Sequence, residues 1–204
     1  MPRNLSLLPS VMLLMFCSAV LANGDIVAGK EKSLTCAACH GPDGNGVEAI
    51  PTQPRLAGQS AEYLEKQLRD YQSGQRESAI MAPMVATLSE ADISDLAAYY
   101  ASLKGTVGST AEKYVNAGQT LYRAGNAGNG LAACMACHGP SGKGNPAAKY
   151  PSLTGQYATY TATQLKAFKT ATRGNDLNGV MRDIAAKMTN DDIEAVASYI
   201  EGLH

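Results

Sequence analysis

The sequence predicts an all-α protein made of two tandem copies of one module. Two observations predict it. Apolar residues recur at helical spacing with no convincing strand alternation, and three blocks of sequence recur in the same order at a nearly constant offset. Cys36-Ala-Ala-Cys39-His40-Gly41-Pro42 returns as Cys134-Met-Ala-Cys137-His138-Gly139-Pro140, displaced by 98. Pro54-Arg-Leu-Ala-Gly-Gln59 returns as Pro151-Ser-Leu-Thr-Gly-Gln156, displaced by 97. Leu88-Ser-Glu-Ala-Asp-Ile93 returns as Met188-Thr-Asn-Asp-Asp-Ile193, displaced by 100. The copies span residues 23–104 and 111–204, joined over 105–110 by a polar linker with two glycines.

Residues 1–22 read as a cleaved signal peptide. Arg3 supplies the positive start, Leu5 to Leu21 an apolar run broken by Pro9 and Ser10, and Val20-Leu21-Ala22 a cleavage site before Asn23. The uninterrupted apolar stretch, Val11 to Ala22, is shorter than the about 20 residues a bilayer crossing needs. Bulky Phe16 argues against a lipid anchor through Cys17. An opening helix from about Asp25 to Leu34 leads into the first cysteine pair. Ser60 caps a second helix with apolar positions Leu64, Leu68 and Tyr71 and a stop at Gly74. Met81-Ala-Pro-Met84 reads as a loop. Ser89 and Asp92 resemble a capping box before the stripe Ile93, Leu96, Ala97, Tyr100. The second copy repeats this with Thr189, Asp192 and the stripe Ile193, Val196, Ala197, Ile200; its main departure is a Gly/Asn-rich insertion over Arg123 to Leu131.

Composition narrows the function. With 45% apolar residues, 17% charged and no Trp, the chain reads as a globular protein. A formal net charge of −1 lacks the basic excess of a nucleic-acid binder. Charge is uneven: 11 acidic and 7 basic residues, net −4, from Asn23 to Lys104, against 7 acidic and 9 basic, net +2, from Gly105 to His204. Such a difference reads first as scatter on solvated surfaces; as function, it is a dipole that orients the molecule toward a redox partner. Each copy is small for a self-sufficient core, so a large apolar group held at its centre would complete it.

Removing the leader leaves Cys36, Cys39, Cys134 and Cys137, and export would normally suggest disulfides. Each pair, however, is followed at once by a histidine. Cys-x-x-Cys-His is the attachment signature of haem c. Two thiols form thioethers to the two vinyl groups of one porphyrin edge, and the adjacent His40 or His138 ligates the iron. A thioredoxin-like pair needs a βαβ setting that is absent, and a Cys₄ zinc site does not require the repeated histidines. Two haem c groups, covalently bound, are therefore expected.

The sixth iron ligand must come from elsewhere. His204 is the one histidine left and cannot serve both irons. Methionine is the other common ligand and raises the potential relative to bis-His. The repeat register pairs Met81 with Met181, each seven residues before the Leu88 or Met188 block. Met84 is the rival in the first copy, but it falls opposite Ile184, which suggests core packing. Pro54 and Pro151 carry carbonyls suited to accept the second ring N–H of the axial histidines.

On these motifs the sequence resembles the cytochrome c4 family, over essentially the whole mature chain. The resemblance implies two tandem class I cytochrome c domains, each wrapped around one haem, with His/Met ligation of both irons. It implies a periplasmic carrier of single electrons, taking them from an upstream quinol-oxidising complex toward a terminal oxidase, loosely associated with the membrane surface and binding no nucleic acid. In this family the haem propionates approach across the domain interface. Two other functions compete: the cytochrome subunit of a flavocytochrome sulfide dehydrogenase, and a di-haem peroxidase. The peroxidase would need an open iron position, against which the methionine in each copy argues.

Overall fold

The computed structural model describes residues 24–204; the leader expected over 1–22 lies outside them. Among the described residues the protein is helical, with two isolated antiparallel bridges, Asn126 to Leu131 and Asn145 to Tyr150, and no sheet. No helix among them is long and apolar enough to cross a membrane.

The first copy opens with α1 (Ile26–Lys32), where Asp25 accepts from the Val27 and Ala28 N–H groups. It stops short of the expected Leu34 and continues as a 3₁₀ turn, Ser33–Thr35, into the single turn α2 (Ala37–His40). Helix α3 (Ala61–Gln72) is capped by Ser60, as its sequence requires. The expected loop at Met81 is instead a short helix, α4 (Met81–Val85). Pro83 is tolerated there because it stands in the first turn, where its missing N–H would have no intrahelical partner. Helix α5 (Glu90–Ser102) starts from a complete Ser89/Asp92 capping box.

The second copy repeats the order: α6 (Val115–Ala124), α7 (Met135–His138), α8 (Ala158–Lys169), α9 (Val180–Ala186) and α10 (Asn190–Glu201). Thr189 and Asp192 form the matching box before α10. Helix α8, the counterpart of α3, has no side-chain cap, because Tyr157 stands where α3 has Ser60.

In each copy the closing helix is the hub. Helices α1 and α3 pack on α5, and α6 and α8 pack on α10. The α1–α5 crossing is close enough that a Cβ at Gly29 would strike the Asp95 carbonyl; at the α6–α10 crossing Gly118 meets Ala195 in the same way. Glycine is needed at both because backbones touch there. The insertion is tied down: Asn126 and Leu131 exchange two backbone hydrogen bonds of 2.9 Å, and Asn129 and Lys187 each bond the other's segment.

Candidate functional site

Each Cys-x-x-Cys-His segment is one helical turn. The His40 N–H donates to Cys36 O at 3.0 Å, and His138 N–H to Cys134 O at 2.9 Å, which brings thiols and imidazole onto one short stretch. Gly41 and Gly139, both at φ +80°, end these turns. The chain then folds back: Gly46 N–H donates to His40 O at 2.7 Å and Gly144 N–H to His138 O at 2.8 Å. This return delivers the prolines. Nδ1 of His40 lies 2.8 Å from Pro54 O, and Nδ1 of His138 lies 3.0 Å from Pro151 O. A carbonyl can only accept, so Nδ1 carries the proton in both rings and Nε2 is left as the basic nitrogen.

Both histidines are buried, and burial holds each imidazole below its ordinary pKa, opposed by the proline carbonyl. Burial also raises the Cys36 thiol and pushes Cys134 up to about 11. A thiol shifted upward in this way is a poor candidate for thiolate redox chemistry.

One cavity of about 1010 Å³ crosses the boundary between the copies and is lined by Cys36, Cys39, His40, Cys134, Cys137 and His138. Met81 and Met181 are partly buried on its wall. Met84 also faces it but is 42% exposed, so the core packing expected from its register with Ile184 is corrected. Its neighbour Val85 takes the buried position of α4. The walls are otherwise largely apolar, with Leu64, Leu68 and Leu96 on one side and Leu165, Val196 and Ile200 on the other.

Residues without an assigned role in the sequence join the copies. Arg76 donates to Gln67 of its own copy at 2.7 Å and to Tyr160 and Gln164 of the other at 2.9 and 2.8 Å. Arg173 mirrors it, donating to Gln164 at 2.9 Å and to Tyr63 and Gln67 at 3.1 and 3.0 Å. All six line the cavity. The signal was available: each pair is displaced by 97, as in the Pro-x-Leu block. The network is less symmetric at Asp70, which joins Lys66 and Asn175.

Fold and site together define a two-domain c-type cytochrome. The cytochrome c family model matches residues 26–104 and again 115–204. Cytochrome c4 of Azotobacter vinelandii is 48% identical, with 90% of this chain and 91% of that protein covered. The crystal structure of reduced recombinant cytochrome c4 from Pseudomonas stutzeri superposes with a TM-score of 0.85 at 44% identity, covering 89% of this chain and all of that one. A thiosulfate dehydrogenase electron acceptor of Stutzerimonas stutzeri is 39% identical, over 82% of this chain and 78% of that protein. The chain belongs to the cytochrome c4 family and is a di-haem electron-transfer cytochrome with two covalently bound haem c groups.

The residues present fit that cofactor. Each turn offers two thiols and an imidazole whose Nε2 is the basic nitrogen, and both turns border one large, mostly apolar cavity, the donor set and the space that a covalently held porphyrin needs.

Proposed function

We propose that the chain is a periplasmic carrier of single electrons between respiratory partners, taking them from a quinol-oxidising complex toward a terminal oxidase and catalysing no reaction of its own. In this reading Cys36 and Cys39 hold one haem, with His40 and Met81 as its iron ligands. Cys134 and Cys137 hold the other, with His138 and Met181. Bound there, each haem supplies a one-electron Fe(III)/Fe(II) couple. The observation that supports the reading best is the repeated buried histidine, oriented by a proline carbonyl, with a methionine of the same copy lining the same largely apolar cavity. Apolar walls and a thioether ligand both favour the reduced iron, which carries less charge into low dielectric. The leader over 1–22 supports the location, and the domain limits 23–104, 105–110 and 111–204 belong to the same reading.

The ligand assignment is tested by Met81→Ala. It is expected to abolish the near-infrared sulfur-to-iron charge-transfer band of one haem, whereas Met84→Ala leaves the band intact. The reverse result overturns it.

A second reading is favoured by the relative named as a thiosulfate dehydrogenase electron acceptor. The donor would then be an enzyme of sulfur oxidation rather than a quinol-oxidising complex. Rapid reduction by a thiosulfate dehydrogenase, with none by the quinol-oxidising complex, would select it. Co-purification with a flavin-containing chain would select the flavocytochrome subunit instead.

A further inference from the structure

The peptide group between Pro54 and Arg55 is hydrogen-bonded at both ends. Its carbonyl faces His40 Nδ1 at 2.8 Å, and its N–H donates to Oε1 of Gln156, in the other domain, at 2.9 Å. The Pro151–Ser152 peptide does the same: its carbonyl is 3.0 Å from His138 Nδ1, and its N–H donates to Oε1 of Gln59 at 2.8 Å. The amide orientation of each glutamine is set by its second bond, because Nε2 donates to Arg55 O or to Ser152 O, both at 2.9 Å. Both glutamines are buried, 8% exposed at Gln59 and 9% at Gln156. They are repeat equivalents, displaced by 97, and each reaches the equivalent turn of its neighbour.

We propose that Gln59 and Gln156 are positioning residues that tune, through these crossed relays, the reduction potential of the haem in the opposite domain. The inference rests on His40 and His138 being iron ligands. Hydrogen bonds in a chain polarise one another, and low dielectric strengthens the effect. An amide whose N–H is engaged has a more negative carbonyl oxygen, which accepts more strongly from Nδ1. The imidazole then becomes the more basic ligand, which favours the ferric state. Loss of the glutamine acceptor weakens that pull and favours the ferrous state. The tuning is crossed: Gln156 acts on the N-terminal haem and Gln59 on the C-terminal one.

Gln156→Met keeps length and bulk but removes the amide. Redox titration of the full-length holoprotein, with the two haems resolved by their shifted haem-methyl proton resonances, reads the effect. The N-terminal haem is expected to shift about threefold toward Fe(II), which is about 28 mV at about 59 mV per tenfold for one electron. The C-terminal haem keeps its potential. Gln59→Met is expected to give the mirror result, and either variant alone suffices if the other fails to accumulate. In ¹⁵N-histidine-labelled reduced protein, the Nδ1–H resonance of the affected histidine should move upfield while the other stays. No shift in either haem overturns the relay. Equal shifts in both overturn it too, because they mark a loosened interface. Failure of the ligand reading is separate: wild-type protein would then lack two low-spin His/Met haem spectra.

Discussion

The two domains build the same site on unequal cores. The N-terminal cluster consists of Leu64, Leu96, Ala97, Tyr99 and Tyr100. The C-terminal cluster holds counterparts of several of these and adds Leu121 and Tyr122 from α6, Leu131 from the insertion, and Met188 and Leu203, whereas Ile93 and Ile193 are fully buried alike. With Gly29 and Gly118 in register, Lys32 and Ser33 stand where the C-terminal domain has Leu121 and Tyr122. Lys32 forms an ion pair with Asp92 at the start of α5, whereas Leu121 goes into the core. Tyr122 is fully buried and donates to Gly139 O at 2.6 Å, which pins the loop after its Cys-x-x-Cys-His turn to α6. One domain therefore closes its core largely with side chains, and the other leaves more of that task to the haem.

The sharpest way to break this comparison is to remove each attachment in turn. Cys36→Ala/Cys39→Ala is expected to unfold the N-terminal domain, costing roughly half of the far-ultraviolet helical signal. Cys134→Ala/Cys137→Ala should cost clearly less. Equal losses would show that the two cores are equivalent.

The helix crossings test where the domains are alike. Gly29→Ala and Gly118→Ala each force a methyl against a backbone carbonyl and the Cβ of Tyr99 or Tyr199. Each is expected to destabilise its domain by about 3 kcal/mol in denaturant unfolding, although Ala is otherwise the better helix former. A smaller cost at one site would mean that its crossing yields.

Tyr122→Phe removes the hydroxyl that holds Gly139 O and should cost about 1.5 kcal/mol, read as a lower midpoint of the C-terminal transition. Ser33→Ala removes a bond of 2.7 Å to Lys30 O within the same turn and should cost about 0.5 kcal/mol. The ratio measures how much the tyrosine adds to the C-terminal core.

The smallest effect concerns the ion pair. The Lys32 ammonium, with the Ser89 backbone and hydroxyl, holds the Asp92 carboxyl down at about 2, against an ordinary 3.8. A depressed carboxylate contributes stability that is fully present above its unfolded value and is lost as pH falls through the folded one. That contribution should thus fade between about pH 4 and 2. In Lys32→Ala the carboxyl titration followed by NMR is expected to move up toward 3.8. An unmoved titration would assign the depression to the capping box alone.

Much of the fold was legible because its determinants are local. Ser60, the Ser89/Asp92 box and the Thr189/Asp192 box act on N–H groups two or three residues away. The short helix at Met81 was missed because a proline near the start of a helix reads as a loop. Met84 was misread because repeat register gives a residue's neighbours in sequence and not its exposure. The proline acceptors could be anticipated, since the Pro-x-Leu block recurs 14 residues after one histidine and 13 after the other.

By itself the sequence determined which chemistry the chain supports: two attachment turns, their histidines, the candidate methionines and the caps that start the helices. Each lies within a short stretch of chain, where spacing alone specifies geometry. Only the tertiary structure decided that Gln156 holds the turn beside His40, that Gln59 holds the turn beside His138, and that Arg76 and Arg173 share partners across the boundary. Those pairs stand 84 to 106 residues apart in sequence, and no periodicity encodes a contact made when two finished domains meet.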